Sequence, residues 1–312
     1  MGHQILVTGG AGYLGSTLVP ELLAAGHRVT VLDNFMYNQN SLAHVCHHPG
    51  FDVVRGDVRS ESAVLPLLKK ADIVIPLAAY VGAPLCARDP VGASSTNHDA
   101  IVMMLKHVSK HQRILMPTTN SAYGSGDEKN FCTEDSPLRP MSLYAIEKVK
   151  VEKELLQHPN ATSFRLATVF GMSPRMRIDL LVNDFTYRAV HDRFVVLFEA
   201  GFKRNYIHVR DIARVFMHGI DHYEKTNGQI FNVGLSDANV SKRELCLAIQ
   251  KQVPEFTFIE APIGKDPDQR NYIVSNSRIE ATGYQPQVSL DAGIRELIKG
   301  FTMIRNSVYG NV

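Results

Sequence analysis

Along the first half of the chain, short apolar runs alternate with longer segments whose apolar positions recur at helical spacing. "QILVT" (4–8) reads as a buried strand, and "TLVPELLAAG" (17–26) as a helix stopped by Gly26. Further apolar runs predict strands at 28–33, 51–57, 72–79, 113–119 and 162–171. Amphipathic segments at 62–71 and 96–111 predict helices between them, and "SLYAIEKVKVEKELL" from Ser142 predicts another. Strand and helix alternating in this way predict an α/β fold of Rossmann type, a doubly wound parallel sheet with helices on both faces.

After Gly171 the rhythm changes. "MSPRMRIDLLVNDFTYRAV" and the chain from about 236 onward do not continue the alternation, whereas "RNYIHVRDIARVFMHGI" and "QIFNVG" read as a return to the sheet. The expectation is a first domain of 1–171 plus about 206–235, and a smaller, interleaved C-terminal lobe of about 172–205 plus 236–312. The first would bind a dinucleotide and the second its substrate.

Composition narrows the class only a little. The 312 residues are 45% hydrophobic and 21% charged, with a net charge of +2 and no long basic run. Neither nucleic acid nor a membrane surface is expected as a partner. No stretch approaches 18 apolar residues, and the start lacks a charged leader before an apolar run. The four cysteines, at 46, 86, 132 and 246, form no CxxC pair, so reduced thiols and a cytoplasmic location are expected. His44, His47 and His48 share a stretch without metal-ligand spacing, so no metal is expected.

"VTGGAGYLGS" places Gly9, Gly12 and Gly15 directly after a strand and at the opening of a helix. Glycines allow the backbone to approach a pyrophosphate, and the helix N-terminus offers free N–H groups and partial positive charge. Asp33 ends the second strand, where a carboxylate accepts from adenosine ribose hydroxyls and repels a 2′-phosphate; NAD is therefore expected rather than NADP. Asp57, ending the next strand, is a candidate acceptor for the adenine amine or a plain strand-end turn. Tyr13, Leu14, Asn34 and Val58, beside these positions, are counted as cofactor contacts.

Tyr144 and Lys148 stand one helical turn apart, on one face. By spacing alone such a pair is an ordinary helix surface; beside a dinucleotide site it becomes an acid–base pair. A neighbouring ammonium and a positive nicotinamide ring would favour phenolate, and the phenolate could take a proton from an alcohol. The strand-end loop "PTTNSAYG" supplies Thr118, Thr119, Asn120 and Ser121 as groups to orient that alcohol.

On these residues the chain resembles the extended short-chain dehydrogenase/reductase family, whose members act mostly on nucleotide sugars, and the resemblance covers essentially the whole chain. Gly9–Gly15, Tyr144–Lys148 and Thr119 ahead of Tyr123–Gly124 match its motifs, "LAAYVG" (77–82) its loop beside the cofactor, and Asn97 the asparagine opening its long helix. The resemblance implies NAD as cofactor, with contacts from Leu77, Ala78, Ala79, Asn97 and Thr118. It implies Tyr144, Lys148 and Thr119 as catalytic residues. It implies a substrate diphosphate held by Arg204 in "KRNYIHVRD", where Asn205 replaces the usual aspartate, and by Arg270. Arg177 and Asn183 are candidate sugar and base contacts beside Asn120 and Ser121. It also implies a homodimer formed through the Asn97 and Tyr144 helices.

"RLATVFGMSPRMRIDLLVNDFTYRAV" and "RNYIHVRDIARVF" are similar to the subgroup of bacterial GDP-heptose 4-dehydrogenases, which implies oxidation at carbon 4 of a GDP-manno-heptose, with a GDP-sugar favoured. Asn120 and Ser121 stand where a family dehydratase carries Asp-Glu. No glutamate of the decarboxylase type and no cysteine of the 3,5-epimerase type occurs from 118 to 124. A 4-dehydrogenase and a 4-epimerase remain. A non-catalytic NAD sensor is the alternative outside enzymes, disfavoured because both Tyr144 and Lys148 are kept.

Overall fold

The computed structural model describes residues 2–125, 130–262 and 270–305. The 306–312 end of the expected lobe and most of the "DPDQR" stretch lie outside the described residues. The first half runs β1 (Gln4–Thr8), α1 (Gly15–Ala24), β2 (Arg28–Asp33), β3 (Phe51–Arg55), α2 (Glu61–Leu68), β4 (Ile73–Pro76), α3 (Ala83–Arg88), α4 (Pro90–Ser94), α5 (Ala100–His107), β5 (Arg113–Thr119), α6 (Leu143–Leu155), β6 (Ala161–Leu166) and β7 (Thr168–Phe170). The second runs α7 (Leu181–His191), β8 (Phe194–Leu197), β9 (Lys203–His208), α8 (Val209–Asp221), α9 (Tyr223–Thr226), β10 (Ile230–Val233), β11 (Asn239–Ser241), α10 (Lys242–Gln250), β12 (Thr257–Glu260), α11 (Ser277–Glu280) and α12 (Leu290–Met303).

Seven strands form one parallel sheet in the order β3-β2-β1-β4-β5-β6-β10. Parallel strands in the middle of such a sheet are buried on both faces, which is why β1, β4 and β5 read as continuous apolar runs. On one face Leu18, Leu22, Val215 and Phe216 from α1 and α8 pack with Val7, Val31 and Phe164. On the other, Val64, Met104, Val151 and Leu155 from α2, α5 and α6 pack with Leu6, Val74 and Met116. A separate apolar core gathers Phe170, Val182, Phe185, Leu245, Leu297 and Phe301. Ile279 and Tyr284, late in the chain, pack into the first core instead.

Three elements differ from the pattern read in the sequence. The run 162–171 is two strands in two sheets. Ala167 still donates to Val233 O at 2.9 Å, and at Thr168 the chain turns to pair with Tyr206, so β7 joins β9 and β11 in a three-stranded sheet. β9 therefore does not return to the large sheet, although α8 and β10 after it do. The expected helix 96–111 is a π-helical turn at Ser95–Asp99 followed by the short α5. The wider turn carries Asn97 against the loop after β4, where Tyr80 N donates to its Oδ1 (2.8 Å) and its Nδ2 donates to Tyr80 O (2.9 Å).

Candidate active site

The carboxyl ends of β1, β2, β4 and β5 open into one elongated cavity, the place where open α/β sheets bind ligands. At its first end the backbone itself forms the wall. Gly9 has φ +68°, and a Cβ there would sit 2.5 Å from Ala78 N; one on Gly15 would sit 2.5 Å from Gly10 O. Any side chain would fill this cradle. α1 starts just beyond it with Leu14 as its N-cap and no side-chain cap; Ser16 N and Thr17 N donate to Gly12 O and Leu14 O, and the Leu14 and Gly15 N–H groups at the tip have no partner among the described residues. That donor set, with no acidic side chain in the first turn, fits a dinucleotide pyrophosphate.

Asp33 closes β2 at the same end. Its Oδ2 accepts from Ala11 N (3.0 Å) and its Oδ1 from Phe35 N (2.8 Å). Burial still raises its carboxyl above the usual range, and ribose hydroxyls could supply further donors. Asp57 also lines the cavity, but Arg59 binds it at 2.6 and 2.9 Å and holds its carboxyl below the usual range. Gly12, Tyr13, Leu14, Asn34, Val58, Leu77, Ala78 and Ala79 line this half as well.

The segment that follows β7 is tied directly onto the glycine loop. Tyr13 Oη donates to Gly171 O (2.6 Å), Ser173 Oγ to Tyr13 O (2.6 Å), and Arg175 N to Ser16 Oγ (3.2 Å). Burial pushes the Tyr13 phenol up, so it stays protonated and donating. Arg175 stacks over Tyr37, its guanidinium carbon 4.4 Å from the ring centroid, and both line the cavity.

At the inner end Thr118, Thr119, Ser121, Tyr144 and Lys148 come together. Ser142 caps α6 by accepting from Ala145 N (3.3 Å), which sets Tyr144 in the first turn. Lower on the same helix face, Glu152 is buried and accepts from Thr118 Oγ1 (3.0 Å), Ser163 Oγ (2.7 Å) and Arg165 (2.6–3.1 Å). This bolts α6 to β5 and β6 and fixes Tyr144 in register with Thr119. Thr119 hydrogen-bonds to Tyr144, and its Oγ1 donates to Ser121 Oγ at 3.0 Å. Arg270 donates to Ser121 Oγ from the C-terminal segment.

Lys148 lines the cavity on the face of α6 that carries Tyr144. Its Nζ donates to Pro117 O (3.1 Å), and burial brings the ammonium down to about 8. Burial first, and then the Cys86 thiol, push Tyr144 up to about 12, against Arg177, Arg270 and the Thr119 hydrogen bond. The chain alone therefore holds a protonated phenol.

Four of the sequence candidates do not line the cavity. Asn97 holds the loop at Tyr80. Asn183 accepts from Gly171 N (3.0 Å) and donates to Arg177 O (2.8 Å), so it shapes the chain between β7 and α7. Asn120 is buried, and neither of its side-chain polar atoms has a hydrogen-bond partner among the described residues. Arg204 is buried on β9. Arg177 and Arg270 do line the cavity, and so do Tyr37, Arg59, Tyr80 and Arg175, which the sequence reading missed. Arg175 had a signal, standing two positions from Arg177 in "SPRMR"; Tyr37 had none beyond following Asp33. Among the described residues no group of three His, Cys, Asp or Glu could hold a metal ion, and no helix is long and apolar enough to cross a membrane.

Comparison with known proteins gives this cavity a context. The profile of the family described as "NAD dependent epimerase/dehydratase family" matches residues 5–234. The low-salt glycan biosynthesis protein Agl12 of Haloferax volcanii is 26% identical over 310 residues, covering 95% of this chain and 97% of that protein. A dTDP-glucose 4,6-dehydratase of Streptomyces griseus is 28% identical over 312 residues, covering 94% and 92%. The crystal structure of UDP-glucose 4-epimerase from Thermus thermophilus in complex with NAD superposes with a TM-score of 0.83 at 25% identity, covering 96% of this chain and 99% of that one.

Proposed function

The chain belongs to the NAD dependent epimerase/dehydratase family, and from that premise we propose that it oxidises the carbon-4 hydroxyl of a nucleotide sugar, as a 4-dehydrogenase of GDP-D-glycero-manno-heptose. The cofactor is NAD. The observation that carries the reaction type is a pairing. Thr119, Tyr144 and Lys148 converge in the cavity, and the carboxylates among its described lining residues are Asp33 and Asp57, both at the glycine-loop end. Elimination of water or loss of carbon dioxide calls for a further acid or base beside the sugar. Oxidation alone does not.

NAD, when bound, supplies the hydride acceptor. Gly9, Gly12, Gly15 and Asp33 would hold its pyrophosphate and ribose, and Lys148, buried beside Tyr144, would hold its second ribose. Thr119 orients the sugar hydroxyl by hydrogen bonding, and Tyr144, ionised under the added positive charge of bound NAD+, would take the hydroxyl proton. Arg270 and Arg177 offer planar forks to the substrate diphosphate, from the segments that form the second lobe, about 172–205 and 236–312. A homodimer paired through α5 and α6 belongs to the same reading.

A second reading is a 4-epimerase, supported by the likeness to the Thermus enzyme. It uses the same groups and returns the hydride to the other sugar face. Mass spectrometry after incubation with NAD and a panel of GDP-, UDP- and dTDP-sugars separates the two. A 4-keto sugar nucleotide with NADH is expected; an isomer without NADH supports epimerisation, and loss of water or carbon dioxide rejects both. Tyr144→Phe should lower turnover by about 100- to 10,000-fold while NAD binding persists.

A further inference from the structure

Two hydroxyls and one guanidinium meet at the inner end of the cavity, and the direction of their hydrogen bonds carries information. The Thr119 hydroxyl donates its proton to Ser121 Oγ at 3.0 Å, while its oxygen accepts from Ser121 N at 3.1 Å. Ser121 Oγ also accepts from Arg270 Nη1. Thr119, Ser121 and Arg270 all line the cavity, and both hydroxyl residues are buried. A hydroxyl has one proton to donate. With that proton committed to Ser121, Thr119 presents only a lone pair to the cavity.

That polarity is the wrong one for the proposed reaction. The sugar hydroxyl also has a single proton, and it must go to Tyr144. Thr119 must then donate to the sugar oxygen, where negative charge gathers as the proton leaves. It can do so only after letting go of Ser121. The guanidinium that holds Ser121 comes from far along the chain, and the backbone just after it is stitched down on both sides. Tyr272 N donates to Lys203 O (3.1 Å) and Val274 N to Asn239 Oδ1 (2.8 Å) on one side, and Cys132 N donates to Ile273 O (2.8 Å) on the other. Arg270 can therefore change partner by rotating its side chain alone. A diphosphate is charged and takes both prongs of the fork, so it outcompetes a neutral hydroxyl.

Resting on the function proposed above, we propose that Ser121 is a positioning residue for Thr119: it keeps the Thr119 proton out of the cavity until a substrate diphosphate draws Arg270 away. Ser121 then turns about its own Cα–Cβ bond, and the Thr119 proton swings onto the sugar oxygen. The nucleotide half of the substrate thus readies the hydroxyl that its sugar half uses. A sugar that arrives without a diphosphate meets a Thr119 still turned to Ser121.

The test supplies the two halves separately. Free D-glycero-manno-heptose is incubated with saturating NAD+, with and without GDP, and NADH absorbance is followed. In the unmodified protein GDP should speed NADH formation by about 10-fold, the scale of one hydrogen bond. In Ser121→Ala the rate without GDP should already be raised by a similar factor, and GDP should add less than about 2-fold. A serine that merely propped the loop would, once removed, slow the reaction with and without GDP alike. Arg270→Gln also takes the guanidinium off Ser121 and should likewise lose the stimulation. A crystal structure with NAD+ and GDP reads the same event directly: Arg270 should lie on the diphosphate, with Ser121 Oγ parted from Thr119 Oγ1. Arg270 still on Ser121 beside bound GDP overturns the inference, as does equal stimulation in all three proteins or none in the unmodified one. Absence of a 4-keto product from intact GDP-heptose would instead sink the proposed function itself, wherever Arg270 lies in the GDP complex.

Discussion

The two ends of the cavity are built on opposite principles. At the glycine-loop end the chain excludes side chains: Gly9 and Gly15 face backbone at 2.5 Å from where a Cβ would stand, and α1 begins without a cap. At the sugar end long side chains reach in from remote positions, Arg177 after β7 and Arg270 in the C-terminal segment. The first surface is made within one strand–turn–helix unit and is set by local geometry. The second exists only once several segments have folded together. Changes at the first should act on the cofactor, and changes at the second on the substrate.

The largest effect should follow from filling the cradle. Gly9→Ala places a methyl 2.5 Å from Ala78 N and forces φ +68° on a side-chain residue. About 1–2 kcal/mol of backbone strain adds to the clash. NAD affinity, measured by calorimetry, should fall by about 100-fold or more, near 2.7 kcal/mol. Unchanged affinity would show that backbone approach is not what this end supplies. Next in size is the sugar end. Arg270→Ala removes a cavity-facing fork and should raise the substrate KM by about 10-fold, the scale of one charged hydrogen bond, with NAD affinity unchanged. Arg204→Ala gives the contrast. Arg204 is buried outside the cavity, so its loss should lower thermal stability by about 1–3 kcal/mol and leave KM within a factor of about two. If Arg204→Ala raised KM as much as Arg270→Ala, the sugar end would extend beyond this cavity.

This contrast also explains what could be read from the sequence. The parallel sheet was legible because strands buried on both faces must be apolar throughout, and the glycine loop because its spacing is local. The break at Ala167 was not legible. An apolar run stays apolar whether its neighbour is β10 or β9, and pairing partners are not written in hydrophobicity. The same fact hid which arginines face the cavity. On a strand, successive side chains point to opposite faces, so the direction of Arg204 depends on how β9 pairs with β7 and β11. The partner of Lys148 was not legible either: spacing puts the residue on the face of Tyr144, and only the folded chain shows its ammonium donating to Pro117 O.

The smallest effect, and the one that divides the molecule most cleanly, is acid. His218 on α8 sits in the half that carries the large sheet. The Thr282 hydroxyl donates to Ile279 O, so His218 Nε2 donates to Thr282 Oγ1 at 2.7 Å. Burial first, and then His222 and Lys225, depress His218 to about 4. An unfolded histidine titrates near 6.5, so the stability from keeping His218 neutral is full above that pH and drains away as the pH falls toward 4. His27 in the same half is depressed as well, by burial and then by His3. In the other half, burial would raise Glu296 on α12, but His208 and Arg210 overcome it and hold the carboxyl at about 2. Its contribution is intact above the unfolded value near 4.3 and fades only as the pH falls toward 2. Between pH 6.5 and 4.5, amide protection factors, corrected for the intrinsic exchange rate at each pH, should therefore fall around α8 and hold around α12. His218→Asn should flatten that early loss, and Glu296→Gln should leave it untouched. Simultaneous loosening of α8 and α12 over this window would mean that the two halves answer acid as one unit, and that the division between the two ends of the cavity does not extend to stability.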